Sequence, residues 1–261
     1  MSKYSLLIGI NYKDSESELN GCINDINNVK EMLTSNYDYD EKNITILTDD
    51  TEKKPNYDII IQEIINLSKI SYQPEVTEIW ISYSGHGAYI KDTNGDEDDG
   101  KDECLVPLDY QTKGLICDDL LNQVLGLINP KVKVIIVVDA CHSETIFDLP
   151  YRYISGEKNV IENKNSKVKC DCIMISGCRD DQTSADAYNI KNSKEYSGAM
   201  TTALLHVLKQ NKYNISCWKL LKQMRMFLKN RNFTQVPQIC CTKELDKTIM
   251  FSCKNFYSFL S

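Results

Sequence analysis

Lys133-Val134-Ile135-Ile136-Val137-Val138-Asp139-Ala140-Cys141-His142-Ser143 sets five consecutive β-branched aliphatic residues against an abruptly polar segment that carries a thiol. A half-exposed strand alternates apolar and polar residues. The lack of alternation here means burial on both faces, which places Lys133 to Asp139 at the centre of a sheet. Four more short apolar runs, Tyr4 to Ile10, Asn43 to Leu47, Glu78 to Ser84 and Asp171 to Ser176, read as its companions. Segments of helical period separate them: Cys22, Ile23, Ile26, Val29 and Leu33 recur at three-to-four spacing, as do Ile60, Ile61, Ile64, Ile65 and Leu67. A helix over Asp118 to Ile128 opens on two carboxylates, which favour a helix N-terminus, and stops before Pro130. Two more are expected from Ser197 to Lys209 and from Ile215 to Lys229. Strands alternating with helices specify the α/β class, a central mostly parallel sheet with helices on both faces. The 261 residues, 42% of them hydrophobic, suffice for a single domain with a substantial core.

Three polar stretches read as loops: the acidic tract Asp92 to Glu103, the Asn/Lys/Glu-rich Ser155 to Lys169, and Arg179 to Tyr196. The second has almost no apolar content after Val160 and Ile161 and reads as a flexible linker between 1–154 and 170–261. A net charge of −7 argues against nucleic acid as an obligate partner, because backbone binding needs a basic surface that displaces counterions. It suits a basic substrate better. The first apolar run, Leu6 to Ile10, is far too short to span a membrane or direct export, so no membrane association and a cytoplasmic, reducing location are expected. Most of the eleven cysteines then read as buried thiols. Their spacing disfavours zinc: Cys170 and Cys172 are one residue apart, Cys240 and Cys241 are adjacent, and no C-x-x-C pair occurs.

Chemistry concentrates at two strand ends. Ser84-Gly85-His86-Gly87 follows the strand Glu78 to Ser84, and Cys141 follows the strand Lys133 to Asp139. In open α/β sheets ligands bind beyond the carboxyl ends of the strands, where a thiol and an imidazole from neighbouring strands can meet as nucleophile and base. An adjacent imidazole stabilises the thiolate, which is the reactive form. The backbone N–H groups of Gly87 and Cys141 are natural donors to an oxyanion. His142 is the competing base, but as the residue adjacent to the nucleophile it is expected to point away from it, while His206 lies within a helical pattern and reads as packing or surface.

These residues resemble the metacaspases, relatives of the caspases in the caspase-hemoglobinase fold. The separation of 55 positions from His86 to Cys141 compares with roughly 50 in the caspase signature, whereas the local D-A-C-H-S is similar to the metacaspase form. Further matching stretches are Leu7-Ile8-Gly9-Ile10-Asn11-Tyr12, Leu19-Asn20-Gly21-Cys22-Ile23-Asn24-Asp25, Asp98-Asp99-Gly100-Lys101-Asp102-Glu103, Val106-Pro107-Leu108-Asp109 and Ser197-Gly198-Ala199-Met200-Thr201. The resemblance implies a cysteine endopeptidase acting through an acyl-enzyme, with Cys141 as nucleophile and His86 as base. Residues 1–154 become large-subunit-like and 170–261 small-subunit-like. Its polypeptide substrates carry Arg or Lys before the scissile bond, and the protein is expected to be a monomer. The sequence departs from the family at Glu144, where Gly usually follows Cys-His-Ser, and the family's Pro/Gln-rich or zinc-finger extension before the first strand is expected to be absent.

Specificity follows from charge. Asp139 lies two residues before Cys141, so on an extended segment the two side chains point the same way. A carboxylate there opposes a developing oxyanion unless a substrate cation neutralises it. The resemblance implies that Cys22, Asp25, Ser84 and Asp139 line that pocket. Residues 92 to 103 hold seven acids against Lys101, a local charge of −6 that a hard cation such as calcium would relieve. An EF-hand register from Asp92 fails, because Glu97 stands where Gly is required. The resemblance instead implies a calcium site on Asp102, Asp118, Asp119 and Asp148, and activation by that ion. It also implies self-cleavage in the linker, at Arg152, Lys158, Lys164, Lys167 or Lys169. The competing readings are a catalytically weak or inactive scaffold or binding protein, a peptidase of the legumain or separase type, and a calcium buffer.

Overall fold

The computed structural model describes residues 1–91, 100–141, 143, 145–153, 166–177, 186–188, 196–245 and 248–251. In chain order these form β1 (Ser2–Gly9), α1 (Cys22–Asn36), β2 (Ile44–Thr48), α2 (Tyr57–Ile70), β3 (Val76–Ser84), β4 (Gly87–Lys91), β5 (Lys101–Leu105), α3 (Tyr110–Lys113) and β6 (Ile116–Cys117). There follow α4 (Asp118–Leu125), β7 (Lys133–Asp139), β8 (Tyr151–Tyr153), β9 (Asp171–Ser176), β10 (Asp186–Tyr188), β11 (Tyr196–Gly198), α5 (Ala199–Gln210), α6 (Cys217–Lys229) and β12 (Gln238–Cys241). The main sheet runs β2-β1-β3-β7-β9-β12-β8. Its first five strands are mutually parallel, and β12 pairs antiparallel with both β9 and β8.

The unbroken apolar run of β7 is explained by its place as the fourth of seven strands, with a core on each side. Val134, Ile136 and Val138 join one cluster with Ile79, Ile81 and Met174, closed by α2 and α4. Ile135 and Val137 join the other with Trp80, Ile173 and Ile175, closed by α1, α5 and α6. Each such aliphatic side chain contributes about 1.5–3 kcal/mol when buried. The two faces therefore carry comparable cores, and the sheet's carboxyl edge is left for chemistry.

The five expected strands and five expected helices all form. Three features depart from expectation. First, β12 was not anticipated: its adjacent Cys240 and Cys241 are buried in opposite cores, because successive strand residues point to opposite faces. Second, part of the acidic loop, from Lys101, is strand β5 of a second sheet ordered β4-β5-β6, while 92–99 lie outside the described residues. Within the stretch 179–196, expected as a loop, β10 forms a hairpin pair with β11. Third, the end of the expected linker is packed: Ser166 and Val168 are buried, and Asn122 on α4 bonds both Lys167 N–H (2.7 Å) and Ser166 Oγ (3.1 Å). Residues 154–165 lie outside the described set. Seven cysteines are free thiols among the described residues, but Cys104 and Cys117 are joined in a disulfide across the β5–β6 pair. Burial pushes the Cys172 thiol well up and that of Cys241 to about 12, so these are inert packing groups.

Candidate active site

Strands β3 and β7 end in register, Ser84 opposite Asp139, so their carboxyl-end continuations leave the sheet side by side. Gly85 N–H donates to the Asp139 carbonyl at 3.3 Å. The approach then tightens: a Cβ placed on Gly87 would sit 1.9 Å from the Cys141 carbonyl oxygen and 3.3 Å from Ala140 Cβ. Only glycine permits the His86 and Cys141 segments to lie this close. His86 and Cys141 are half-buried, whereas the six other free cysteines among the described residues are buried.

The imidazole is held from several sides. Its Nε2 lies 2.7 Å from the Ser17 carbonyl, which can only accept, so this nitrogen carries the proton and Nδ1 is left as the basic one. The Tyr12 ring stacks obliquely on it, centroids 4.7 Å apart. Tyr12 Oη accepts from His86 N–H (3.0 Å) and donates to the Val106 carbonyl (2.7 Å), and Tyr83 Oη donates to the His86 carbonyl (2.7 Å). Burial, then the neighbouring Tyr83, pushes the Tyr12 hydroxyl well above its ordinary pKa, so it stays a neutral donor. Tyr12 has φ 51°, unusual for a bulky side chain. Sequence reading missed Tyr12, Tyr83 and Ser17; Tyr12 stood in the quoted Ile10-Asn11-Tyr12 stretch, but a backbone carbonyl such as that of Ser17 leaves no mark in residue identity.

Two buried acids converge next to the Cys141 segment. Asp25, in the first turn of α1, and Asp139, at the end of β7, are 1% and 3% exposed. A Cβ on Gly198 would meet Asp139 Oδ2 at 2.1 Å and Asp25 Oδ2 at 2.7 Å, so the two carboxylates converge on this one backbone position. Asp25 accepts from Ser84 Oγ (2.7 Å) and Gly198 N–H (2.9 Å), while Asp139 Oδ2 accepts from Thr201 N–H and Thr201 Oγ1, both at 2.9 Å. Cys22 is buried one turn before Asp25. The four residues expected around a cation pocket thus come from α1, β3 and β7, with Gly198 and Thr201 as additions from the Ser197-to-Thr201 stretch.

The model of the metacaspase family, peptidase C14 domain, matches residues 3–150. The chain belongs to the metacaspase family. Metacaspase-1 of Eremothecium gossypii is 34% identical over 305 aligned positions, covering 96% of this chain and 66% of that protein. The chain spans about two thirds of the length of the first curated relatives it matches. Protein GSU0716 of Geobacter sulfurreducens superposes with a TM-score of 0.67 at 24% identity, covering 98% of both chains. Caspase-1 of Spodoptera frugiperda gives 0.56 at 12% identity over 98% of this chain and 91% of that one, which supports the caspase-like fold.

Around His86 and Cys141 of this metacaspase, the expected metal residues sit on neighbouring segments. Asp102, Asp118 and Asp148 are buried and Asp119 is exposed. Asp118 accepts from Glu103 N–H (2.6 Å) and Asp119 N–H (2.8 Å), and Thr145 Oγ1 donates to Glu103 Oε2. Asn122 Nδ2 donates to the carbonyls of Phe147 (2.8 Å) and Asp148 (3.1 Å). Strand β5, helix α4 and the loop after Cys141 are thereby tied together. Among the described residues, however, no group of three or more His, Cys, Asp or Glu side chains is arranged to hold a metal ion. His142 and Glu144 lie outside the described residues, and His206 packs its ring on Phe227 with centroids 4.5 Å apart, as expected of a packing residue.

Gly87 supplies a direct test of the close approach. In a Gly87→Ala protein the new methyl collides with the Cys141 backbone, which has to shift. Misplacement of reacting groups by about 1 Å costs on the order of 100-fold in rate. Turnover of a peptide substrate is expected to fall by about that factor, while circular dichroism and the melting temperature stay near those of the parent. Full activity would mean that the two segments have freedom the packing denies.

Proposed function

We propose that this chain is a calcium-activated cysteine endopeptidase that cuts after Arg or Lys and processes itself. One observation carries the reading: His86 and Cys141 leave neighbouring parallel strands side by side, and Asp139, which ends the Cys141 strand, converges with Asp25 on Gly198. Cys141 Sγ attacks the scissile carbonyl carbon, and His86 Nδ1 takes up the thiol proton. The N–H groups of Gly87 and Cys141 donate to the resulting oxyanion. As the tetrahedral species collapses, His86 returns the proton to the leaving amine, and water, activated by the same nitrogen, releases the acid from the thioester. The hydrogen bond from Nε2 to Ser17 keeps the ring in the tautomer that serves both steps.

In this reading the substrate's Lys or Arg enters an acidic recess at Asp25 and Asp139 and answers the two carboxylates through charge-assisted hydrogen bonds, and an acidic side chain there is repelled. For calcium the donor chemistry fits in kind, since Asp102, Asp118, Asp119 and Asp148 supply only carboxylate oxygens. Bound there, the ion would supply the positive charge that lowers repulsion among these acids. Of the expected self-cleavage positions, Lys167 and Lys169 are exposed, Arg152 is paired within β8, and Lys158 and Lys164 lie outside the described residues.

Fluorogenic peptides ending in Arg, Lys, Asn or Asp, each assayed with and without millimolar calcium, test the reading. Release is expected from the Arg and Lys peptides alone and only in calcium. Cleavage after Asn or Asp would replace the specificity, equal rates in a chelator would remove calcium, and no release from any peptide would favour a scaffold.

A further inference from the structure

From Ala199 to Lys243 the chain contains eight basic residues and no acidic one, although its net charge is −7, so the remainder carries −15. Seven of the eight are exposed; Lys243 pairs with Asp171 at 3.3 Å, which leaves Lys209, Lys212, Lys219, Lys222, Lys229 and Arg231. None of the six is ion-paired among the described residues. Lys219, Lys222 and Lys229 follow helical spacing and form one stripe of α6 with Met226, which is 54% exposed. At 1.5 Å per residue that stripe is about 15 Å long. Lys209 and Arg231 also line a groove of about 470 Å³ between α1, α5 and α6, in which Glu31 is the one acid. A surface of single sign in a molecule of the opposite net sign marks a place for a complementary partner.

We infer that the α5–α6 face is an exosite for polypeptide substrates that carry an acidic stretch. The inference rests on the endopeptidase reading above and adds to it a second point of contact. A polypeptide suits the face better than a nucleic acid. Five of those six cations are Lys, compact charges without the planar fork that Arg offers to phosphates. Bases also need an exposed aromatic ring on which to stack. Among the described residues of this face no aromatic ring is fully exposed: Tyr213 and Trp218 are half-buried and packed edge-on against Tyr37 and Tyr153, and Phe227 is buried beneath Arg231, 3.7 Å from its centroid, and His206. An acidic polypeptide needs only diffuse positive charge, and Lys supplies it.

The fold also sets the distance. Thr201, which holds Asp139, lies in the first turn of α5, and Lys209 is eight residues further along the same helix. That is a rise of about 12 Å, which an extended peptide needs at least about four residues to cover. An acidic stretch nearer the scissile bond than this cannot reach the face. One placed beyond it is steered to the enzyme at a rate that falls as salt rises.

The test uses two peptides with the same Arg cleavage sequence, one extended by four Glu residues beginning eight residues from the scissile Arg. For the parent enzyme kcat/KM is expected to be about 10-fold higher for the Glu-extended peptide in low salt, and equal for both in high salt. In the variant K219E/K222E/K229E that advantage is lost, while the unextended peptide is cut at the parent rate. No advantage in the parent, or an advantage that survives the charge reversal, overturns the exosite. Fluorescence anisotropy of the Glu-extended peptide with the Cys141→Ala protein separates this from failure of the peptidase reading. Salt-sensitive binding that is lost in the charge-reversed protein sustains the surface even if nothing is cut. Tighter binding of a single-stranded oligonucleotide of equal length would reassign the face to nucleic acid. Self-association of the parent, absent from the charge-reversed variant in sedimentation, would reassign it to a second copy of the chain.

Discussion

Cys141→Ala is expected to lose peptide-bond cleavage by at least about 10⁴-fold in kcat, with KM little changed. The methyl group keeps the backbone that adjoins Gly87, so the recess and the His86 environment persist while the attacking atom is gone. Groups that act as a unit fail as a unit, so His86→Ala should fall to a similar rate, and the double variant should be no slower than the worse single one. Additive losses would mean that thiol and imidazole act in separate events. The same protein checks self-processing: incubated in calcium and followed by intact mass, Cys141→Ala should remain whole while the parent is cut between 152 and 169. Fragmentation of the pure variant would assign the cut to another protease. Retained turnover would show that Cys141 is not the nucleophile.

The legible part of this molecule is the part in which side-chain identity alone carries the information. An unbroken run of β-branched residues admits one kind of environment, and β7 lies there, between two cores. The Gly-flanked His86 and the Asp139-to-Cys141 spacing likewise announce strand ends, and a parallel sheet forces such ends onto one edge. What escaped depends on partners the chain does not name locally. Strand β12, only four residues long, is defined by its antiparallel pairing with β9 and β8 and shows no period of its own. The Cys104–Cys117 bond depends on the register of β5 and β6, which places the two residues opposite each other. Ser17 takes part through its carbonyl, a group every residue has. Net charge was informative about the whole and silent about its parts: −7 concealed a stretch of eight basic residues without an acid.

The acidic recess makes the sharpest claim about specificity, and Asp139→Asn examines it with little change of shape. In the parent, Asp139 Oδ2 is occupied by the N–H and the hydroxyl of Thr201. An asparagine keeps those bonds by turning its carbonyl oxygen to Thr201, which leaves its NH2 group facing the recess. A guanidinium then meets a donor where it met a negative charge. Loss of one partner of a buried charge pair costs about 2–5 kcal/mol. With Asp25 still present, kcat/KM for an Arg peptide is expected to fall by two to three orders of magnitude. General damage to the site would also lower the rate, so the deciding measurement is the ratio of Arg to citrulline substrates, which share a shape and differ in charge. In the parent that ratio should be large, and Asp139→Asn should collapse it chiefly by slowing the Arg peptide, with the citrulline peptide much less affected. Slowing of both peptides by one factor would demote Asp139 to a structural support for Thr201 and α5, leaving the substrate's cation to Asp25 alone.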